Sequence, residues 1–170
     1  MPVFETLFRQ SNFEPISYKG KKLFFQDVFP VKDREKLRVV FESVNSDWRQ
    51  GVELQTTRRP GYYGWFIIDG KKVMSRVILG QDTSPPVVEF ILRTKDGKLY
   101  VNNAWEKPPE TWAAGITYID SRSSGAAMVV EELPNGRRYR CNDGHPDEDF
   151  DDIVFRIERV GDDQKGNAEG

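Results

Sequence analysis

Short β-rich runs separated by turn signals constrain the fold of this chain more than any other feature. Valine, isoleucine, phenylalanine and tyrosine recur in these runs, and glycine, proline, asparagine or aspartate interrupts them. This spacing predicts an all-β protein, an antiparallel, jelly-roll-like β-sandwich of about nine to eleven strands. The predicted strands are residues 22–31, 37–44, 51–57, 64–69, 72–79, 87–94, 98–102, 116–120, 126–132, 137–141 and 152–160.

Alternation and turn chemistry refine this prediction. In the run 87–94, Val88, Phe90 and Leu92 fall on one face, and Ile153, Phe155 and Ile157 do so in the last run, so both faces are predicted to be buried. Three dipeptides suited to tight turns predict hairpins between adjacent strands. They are Asp69-Gly70, Asp96-Gly97 and Asn135-Gly136.

Length and charge limit the class of protein. A chain of 170 residues is expected to form one domain, which we place at residues 1–160, and the polar residues 161–170 are predicted to be a disordered tail. The net charge of −2 gives no general attraction to nucleic acid. No run is long and apolar enough for membrane insertion, and the first residues lack a signal-peptide pattern. We therefore expect a soluble protein; an extracellular location would imply a processed signal or leaderless export.

An acidic loop at residues 142–152 carries the strongest chemical signal. It has six carboxylates within ten positions, directly before the last predicted strand. Calcium prefers carboxylate, amide and carbonyl oxygens in irregular geometry, which this composition supplies, whereas zinc would require more than the single histidine and single cysteine present. The alternative is a solvated acidic turn that discourages edge-to-edge strand pairing. The candidate calcium ligands are Asn142, Asp143, Asp147, Asp149, Asp151 and Asp152.

The end of this loop and the strand that follows resemble a known signature. Residues 147–157 read D-E-D-F-D-D-I-V-F-R-I, which resembles the closing motif of calcium-associated bacterial extracellular β-sandwich domains found in surface and adhesive proteins. The resemblance covers about a dozen residues. It implies that Asp147, Asp149, Asp151 and Asp152 are calcium ligands and that Phe150 is a buried anchor.

A second set of residues has the chemistry of a sugar-binding surface. Trp105 and Trp112 flank a proline-containing segment, and Asn103 lies close by. An indole ring can stack on a sugar while an amide bonds its hydroxyl groups, although a tryptophan is equally suited to close the end of the core. His145, the only histidine, lies in the acidic loop and joins the candidate ligand-binding residues.

Taken together, these features predict a calcium-dependent carbohydrate-binding, lectin-like module with a glycan or glycoconjugate as partner. Self-association into a homo-oligomer would raise its avidity. The alternative is a non-catalytic structural or protein-interaction sandwich stabilised by a metal. A third reading is a glycoside-active enzyme that uses Glu131 with Glu132, or Glu89 with the acidic loop. The basic and aromatic turn at residues 58–65 is interpreted as local packing in preference to a nucleic-acid site.

Overall fold

The computed structural model describes residues 4–107, 111–114, 126–143 and 149–161, with only the backbone described at 107 and 111–114. Within these ranges the chain is all-β apart from one short helix, as the sequence predicts. The elements are α1 (Phe4–Gln10), β1 (Ile16–Tyr18), β2 (Lys21–Leu23), β3 (Asp27–Pro30), β4 (Glu35–Val44), β5 (Arg49–Gln55), β6 (Trp65–Ile68), β7 (Lys71–Met74), β8 (Arg76–Gly80), β9 (Val87–Arg93), β10 (Lys98–Lys107), β11 (Thr111–Ala114), β12 (Ala127–Leu133), β13 (Gly136–Asn142) and β14 (Ile153–Arg159).

The described strands number fourteen because two predicted runs are divided and two short strands were not foreseen. The run 22–31 is split into β2 and β3. The run 72–79 is broken at Ser75, whose φ of 44° belongs to the left-handed region and interrupts an extended strand. The short strands β1 and β11 complete the set. The strand predicted at residues 116–120 lies outside the described residues.

Every described strand pair is antiparallel. The larger sheet has seven strands in the order β12-β13-β14-β4-β9-β6-β7. The smaller sheet has five strands in the order β11-β10-β5-β8, with β3 also paired to β10. Strands β1 and β2 form a separate hairpin. The sandwich arises because each large sheet has one apolar face that must be covered.

The core fills the space between these two sheets. The faces predicted by alternation are confirmed, because Val88, Phe90 and Leu92 of β9 and Ile153, Phe155 and Ile157 of β14 all belong to one buried cluster. Their partners across the core come from the smaller sheet and include Phe29, Val52, Leu54, Leu99 and Val101. Burying such side chains contributes about 1.5 to 3 kcal/mol each, so it determines which face of β9 and of β14 is turned towards the core.

The three predicted turns have three different outcomes. Asp69-Gly70 joins β6 to β7 with φ values of 55° and 76°, so this hairpin is confirmed. The β12 to β13 hairpin is also confirmed, but its two turn residues are Pro134 and Asn135, since Leu133 pairs directly with Gly136. Gly136 is needed because a Cβ atom there would lie 1.9 Å from the carbonyl oxygen of Ile157.

The hairpin predicted at Asp96-Gly97 is wrong. Gly97 does adopt a positive φ of 74°, as the dipeptide requires. However, β9 belongs to the larger sheet and β10 to the smaller one. The turn is held by the carboxylate of Asp96, which accepts hydrogen bonds from Thr57 and Thr94, and it carries the chain across the core.

A helix at the amino end was not predicted. The apolar residues Phe4, Leu7 and Phe8 follow helical spacing, and Arg9 donates to Glu5 one turn earlier at 2.7 Å. The buried side chains of Phe4 and Phe8 pack in a second apolar cluster. That cluster joins α1 and the β1–β2 hairpin to Ala127 and Phe150, so it lies directly against the acidic loop.

Charged side chains cover part of the outer face of the larger sheet as a connected network. Glu42 accepts hydrogen bonds from Arg138 at 3.0 Å and Arg156 at 2.8 Å. Glu158 accepts from Arg156 at 2.7 Å and from Arg38 at 2.9 Å. Partial burial acts to raise the pKa of both glutamates, but the hydrogen bonds from arginine outweigh it and lower the pKa of each.

We predict that Glu42→Gln lowers the free energy of unfolding at pH 7 by on the order of 1 kcal/mol. Because the folded pKa of Glu42 lies below its ordinary value of 4.5, the stabilisation is present above that pH. It is lost as the pH falls through the folded pKa. Urea unfolding across this range should therefore show the difference between wild type and variant vanishing in acid.

The control is Glu89→Gln on the same sheet, where the ion pair with Lys36 is about half exposed and contributes a few tenths of a kcal/mol at most. An equal effect of both variants, or a Glu42→Gln deficit that persists in acid, would contradict this account of the network.

Candidate functional site

The acidic loop lies where the ends of three neighbouring strands meet. In β14, Ile153 pairs with Cys141 of β13 on one side and with Val44 of β4 on the other. The backbone continues this pairing, since Asp152 donates to the carbonyl oxygen of Cys141 and Asn45 donates to that of Asp152, each at 3.0 Å. The loop and the chain that follows β4 are therefore brought together at one end of the larger sheet.

Among the described carboxylates of this loop, Asp143 is the most deeply buried, with no exposed surface. Its Oδ2 atom accepts hydrogen bonds from Ser46 Oγ at 2.7 Å and from Gln50 Nε2 at 2.9 Å. Its backbone N–H donates to Asp152 Oδ2 at 2.9 Å, and Asp152 is also buried. Two aspartates thus lie side by side in the interior, which is costly unless polar partners or a cation compensate the charge.

Asp151 is held differently from its neighbour. Its Oδ2 atom accepts a hydrogen bond from Asn45 Nδ2 at 2.9 Å. Its Oδ1 atom is buried and accepts no hydrogen bond within the described part of the chain. A buried carboxylate oxygen without a donor is energetically unfavourable, and a bound cation would satisfy it. Asp149, two residues earlier, is exposed.

Asn142 positions the loop through hydrogen bonds. Its Oδ1 atom accepts from the backbone N–H of Phe150 at 2.6 Å. Its carbonyl oxygen accepts from Asn103 Nδ2 at 2.8 Å. The ligand role predicted for Asn142 therefore competes with a structural one, and we assign it to holding the loop closed.

Phe150 is buried, as the resemblance implied, and packs beside Phe4 with ring centroids 6.1 Å apart. Its φ of 52° is uncommon for a bulky residue and costs on the order of 1 kcal/mol or more. The burial of the ring and the hydrogen bond from its N–H to Asn142 offset that cost. The strained residue fixes the direction in which Asp149 and Asp151 leave the backbone.

The sugar-stacking role predicted for Trp105 does not fit its position. Trp105 lies inside β10 and is 1% exposed, packed against Ala126 and Trp48. A ring without an exposed face cannot stack on a sugar. Trp105 pairs with Gln50 of β5 in the register of the sheet. The indole N–H of Trp105 is a buried donor and the side-chain oxygen of Gln50 is a buried acceptor, and neither has a hydrogen-bond partner among the described residues.

Asn103 is also unsuited to its predicted role, because it is buried and its amide group is bonded to Asn142. Trp112 lies in β11 opposite Glu106, and its side chain is outside the described residues. His145 and Asp147 are outside them as well.

The described residues do not form a complete metal centre. No three histidine, cysteine, aspartate or glutamate side chains converge as a complete ligand set within them. The side chains of Asp143, Asp149, Asp151 and Asp152 would contribute only carboxylate oxygens as ligand atoms, which fit calcium and do not fit zinc. Sequence reasoning missed Ser46 and Gln50, which lie 97 and 93 residues from Asp143 along the chain. No local pattern could have joined them to the loop.

Among the residues that the structure describes, neither carboxylate pair of the glycosidase hypothesis has suitable geometry. Glu131 is bonded to Arg140 on the outer face, whereas Glu132 is bonded to Arg137 near the opposite face. Glu89 lies opposite Arg38 in β4, six residues from Val44 at the loop end, or roughly 20 Å along a strand. Cleavage of a glycosidic bond requires carboxylates about 5 to 10 Å apart.

The single thiol does not offer an alternative nucleophile. Cys141 is fully buried, and this burial, together with the negative charge of Asp152, raises the pKa of its thiol well above the ordinary value. The thiol therefore stays protonated at neutral pH, whereas nucleophilic attack requires the thiolate.

The basic and aromatic turn at residues 58–65 packs on itself and on the neighbouring strands β7 and β9. The guanidinium of Arg59 lies 3.9 Å from the ring centre of Tyr62. Lys72 Nζ and Arg93 Cζ lie over the ring of Trp65, at 4.3 Å and 5.1 Å from its centre. These cation–π contacts support the interpretation of this segment as local packing.

The described residues include no helix with the length and apolar character needed to cross a membrane. Comparisons with protein-family models, with curated proteins and with solved structures found no match to this chain. What can be inferred about its function therefore comes from its own residues and their geometry.

Proposed function

We propose that this chain is a calcium-dependent carbohydrate-binding module whose ion is held by the acidic loop. The observation that carries the proposal is Asp151 Oδ1, a buried carboxylate oxygen that accepts no hydrogen bond within the described residues. It stands beside the buried pair of Asp143 and Asp152 and follows the exposed Asp149. Calcium would supply the missing interaction at Asp151 and reduce repulsion among these carboxylates.

The residue types favour calcium over other ions. Calcium accepts about six to eight oxygen ligands at irregular angles, whereas magnesium requires near-octahedral geometry and retains waters. The loop offers carboxylates at three of four successive positions, Asp149, Asp151 and Asp152, with the strained Phe150 between the first two. Such close spacing gives uneven ligand directions, which calcium tolerates.

Carbohydrate is the partner class that best suits an ion in this position. The rim of the loop has exposed polar residues, Asn45, Asp47 and Asp149. Sugar hydroxyl groups can occupy open coordination positions of calcium. They can also donate hydrogen bonds to the carboxylates of this rim or accept them from its amide group. In this proposal the sugar contacts the ion and the rim, and Trp105 has no part in binding.

The burial of Trp105 and Asn103 favours a second candidate, a calcium-stabilised protein-interaction module. It shares the ion site and differs only in the partner. The two candidates predict the same effect of calcium on the fold and opposite results with glycans.

The ion site predicts that Asp151→Asn lowers calcium affinity at least tenfold, because it replaces an anionic ligand by a neutral one and removes on the order of 1.4 kcal/mol of binding free energy. Isothermal titration calorimetry on the full chain measures this directly. The exposed turn residue Asp69 has a positive φ that asparagine also tolerates, so Asp69→Asn is the matched control and should bind calcium normally. Equal affinities for wild type and Asp151→Asn would contradict the assignment.

If the partner is a glycan, the protein should be retained on a glycan array in a calcium-dependent way. Labelled protein in calcium should bind a subset of immobilised glycans, and excess chelator should abolish that binding. Retention that is unaffected by chelator would refute the role of the ion. Calcium binding by calorimetry without retention of any glycan would instead support the protein-interaction module.

A further inference from the structure

A polar groove whose lining residues lie outside the acidic loop is found between β3 of the smaller sheet and the β12–β13 hairpin of the larger one. It has a volume of about 570 Å³, within the usual range for small-molecule sites. Its apolar lining includes Phe24, Val28 and Val130, and its polar lining includes Gln26, Asp27 and Arg137.

Asp27 is the central residue of this groove. It is 5% exposed, and its Oδ2 atom accepts hydrogen bonds from Tyr139 Oη at 2.7 Å and Arg137 Nη1 at 2.9 Å. No described residue donates to its Oδ1 atom, which leaves one oxygen of a buried carboxylate available at the groove. Burial and the negative charge of Asp27 raise the pKa of Tyr139 well above 10.0, so its hydroxyl remains a donor and holds the carboxylate in place.

The charged side chains at this site pair with one another. Arg137 also donates from Nε to Glu132 at 2.7 Å and from Nη1 to the carbonyl oxygen of Val28 at 3.1 Å. Gln26 donates to Asn102 at 2.8 Å, which fixes its amide group and leaves its oxygen available. Asp27 and Glu132 share the single positive charge of Arg137, and the other charged lining residues, Lys22 and Glu14, are of opposite sign. The groove therefore has one carboxylate more than it has cations, and its acidic and amide side chains offer acceptor oxygens to a ligand rich in hydroxyl donors.

We infer that this groove binds a neutral polyhydroxylated molecule, a saccharide unit, independently of calcium. Hydroxyl groups would donate to Asp27 Oδ1 and the Gln26 oxygen and accept from Arg137. The C–H face of the sugar would lie on the apolar side formed by Phe24, Val28 and Val130. The inference does not rest on the proposed calcium site, because none of these residues belongs to the acidic loop.

The test is a titration of ¹⁵N-labelled protein with methyl glycosides of mannose, glucose and galactose, followed by amide chemical shifts in excess chelator. Saturable shifts are expected at Gln26, Val28, Val130 and Arg137 for at least one glycoside. Chelator removes binding through calcium, so failure of the calcium proposal would leave these shifts intact.

Matched variants make the test specific. Val28 and Val87 are equally exposed, at 43% and 44%, but only Val28 lines this groove. Val28→Glu should abolish the shifts and Val87→Glu should preserve them, with both amide spectra remaining dispersed. Glu132→Ala, at a side chain 73% exposed, is the second variant. It removes the hydrogen bond that holds Arg137 Nε, so it should weaken binding several-fold even if Val28→Glu fails to fold.

The inference is overturned if wild type shows no saturable shifts with any glycoside, or if Val28→Glu and Glu132→Ala both bind as wild type does. It is also overturned if ethylammonium, a small cation, produces the groove shifts and the glycosides do not. That result would make the groove an anionic site.

Discussion

The hydrogen bonds of the buried Asp143 carboxylate hold together the end of the sandwich at which the acidic loop lies. The carboxylate accepts a hydrogen bond from Ser46, which follows β4 of the larger sheet, and another from Gln50 in β5 of the smaller sheet. Asn103 of β10 reaches the same loop through the carbonyl oxygen of Asn142. A buried carboxylate must keep such partners, so the loop conformation and the spacing of the two sheets constrain each other.

Apolar packing constrains the other side of the same loop. The ring of Phe150 is inserted into the cluster that contains Phe4, Phe8, Leu23 and Ala127. Its left-handed backbone would relax if that ring were not buried. Hydrogen bonds at Asn142 and Asp143 and burial at Phe150 therefore act in concert, and they place Asp149, Asp151 and Asp152 on a defined backbone. For the proposed calcium site, such preorganisation would lower the entropic cost of binding.

The sequence predicted local features well and long-range ones poorly. Alternation identified the buried faces of β9 and β14, because side chains in a strand necessarily alternate between its faces. Asp96-Gly97 had the correct turn chemistry but the wrong partner strand, since a dipeptide determines backbone direction and not the sheet that the next strand joins. Trp105 was expected at a surface loop and lies in the interior of β10, because the length of that strand depends on pairing with β5 and β11.

The polar clusters show the same limit. Acidic residues close in sequence drew attention to the loop, but Asn45, Ser46 and Gln50 come from the other half of the chain. Asp27 and Arg137 are 110 residues apart and carry no common motif. The helix α1 was a different case, because the spacing of Phe4, Leu7 and Phe8 was a usable helical signal.

The central claim is that the acidic loop binds calcium in the native state. Thermal unfolding of the full chain in millimolar calcium, in millimolar magnesium and in excess chelator tests it most directly. A site occupied only in the folded protein should raise the melting temperature by several degrees in calcium, with little effect of magnesium. Superimposable curves in all three conditions would contradict the claim and return the loop to a role in the fold alone.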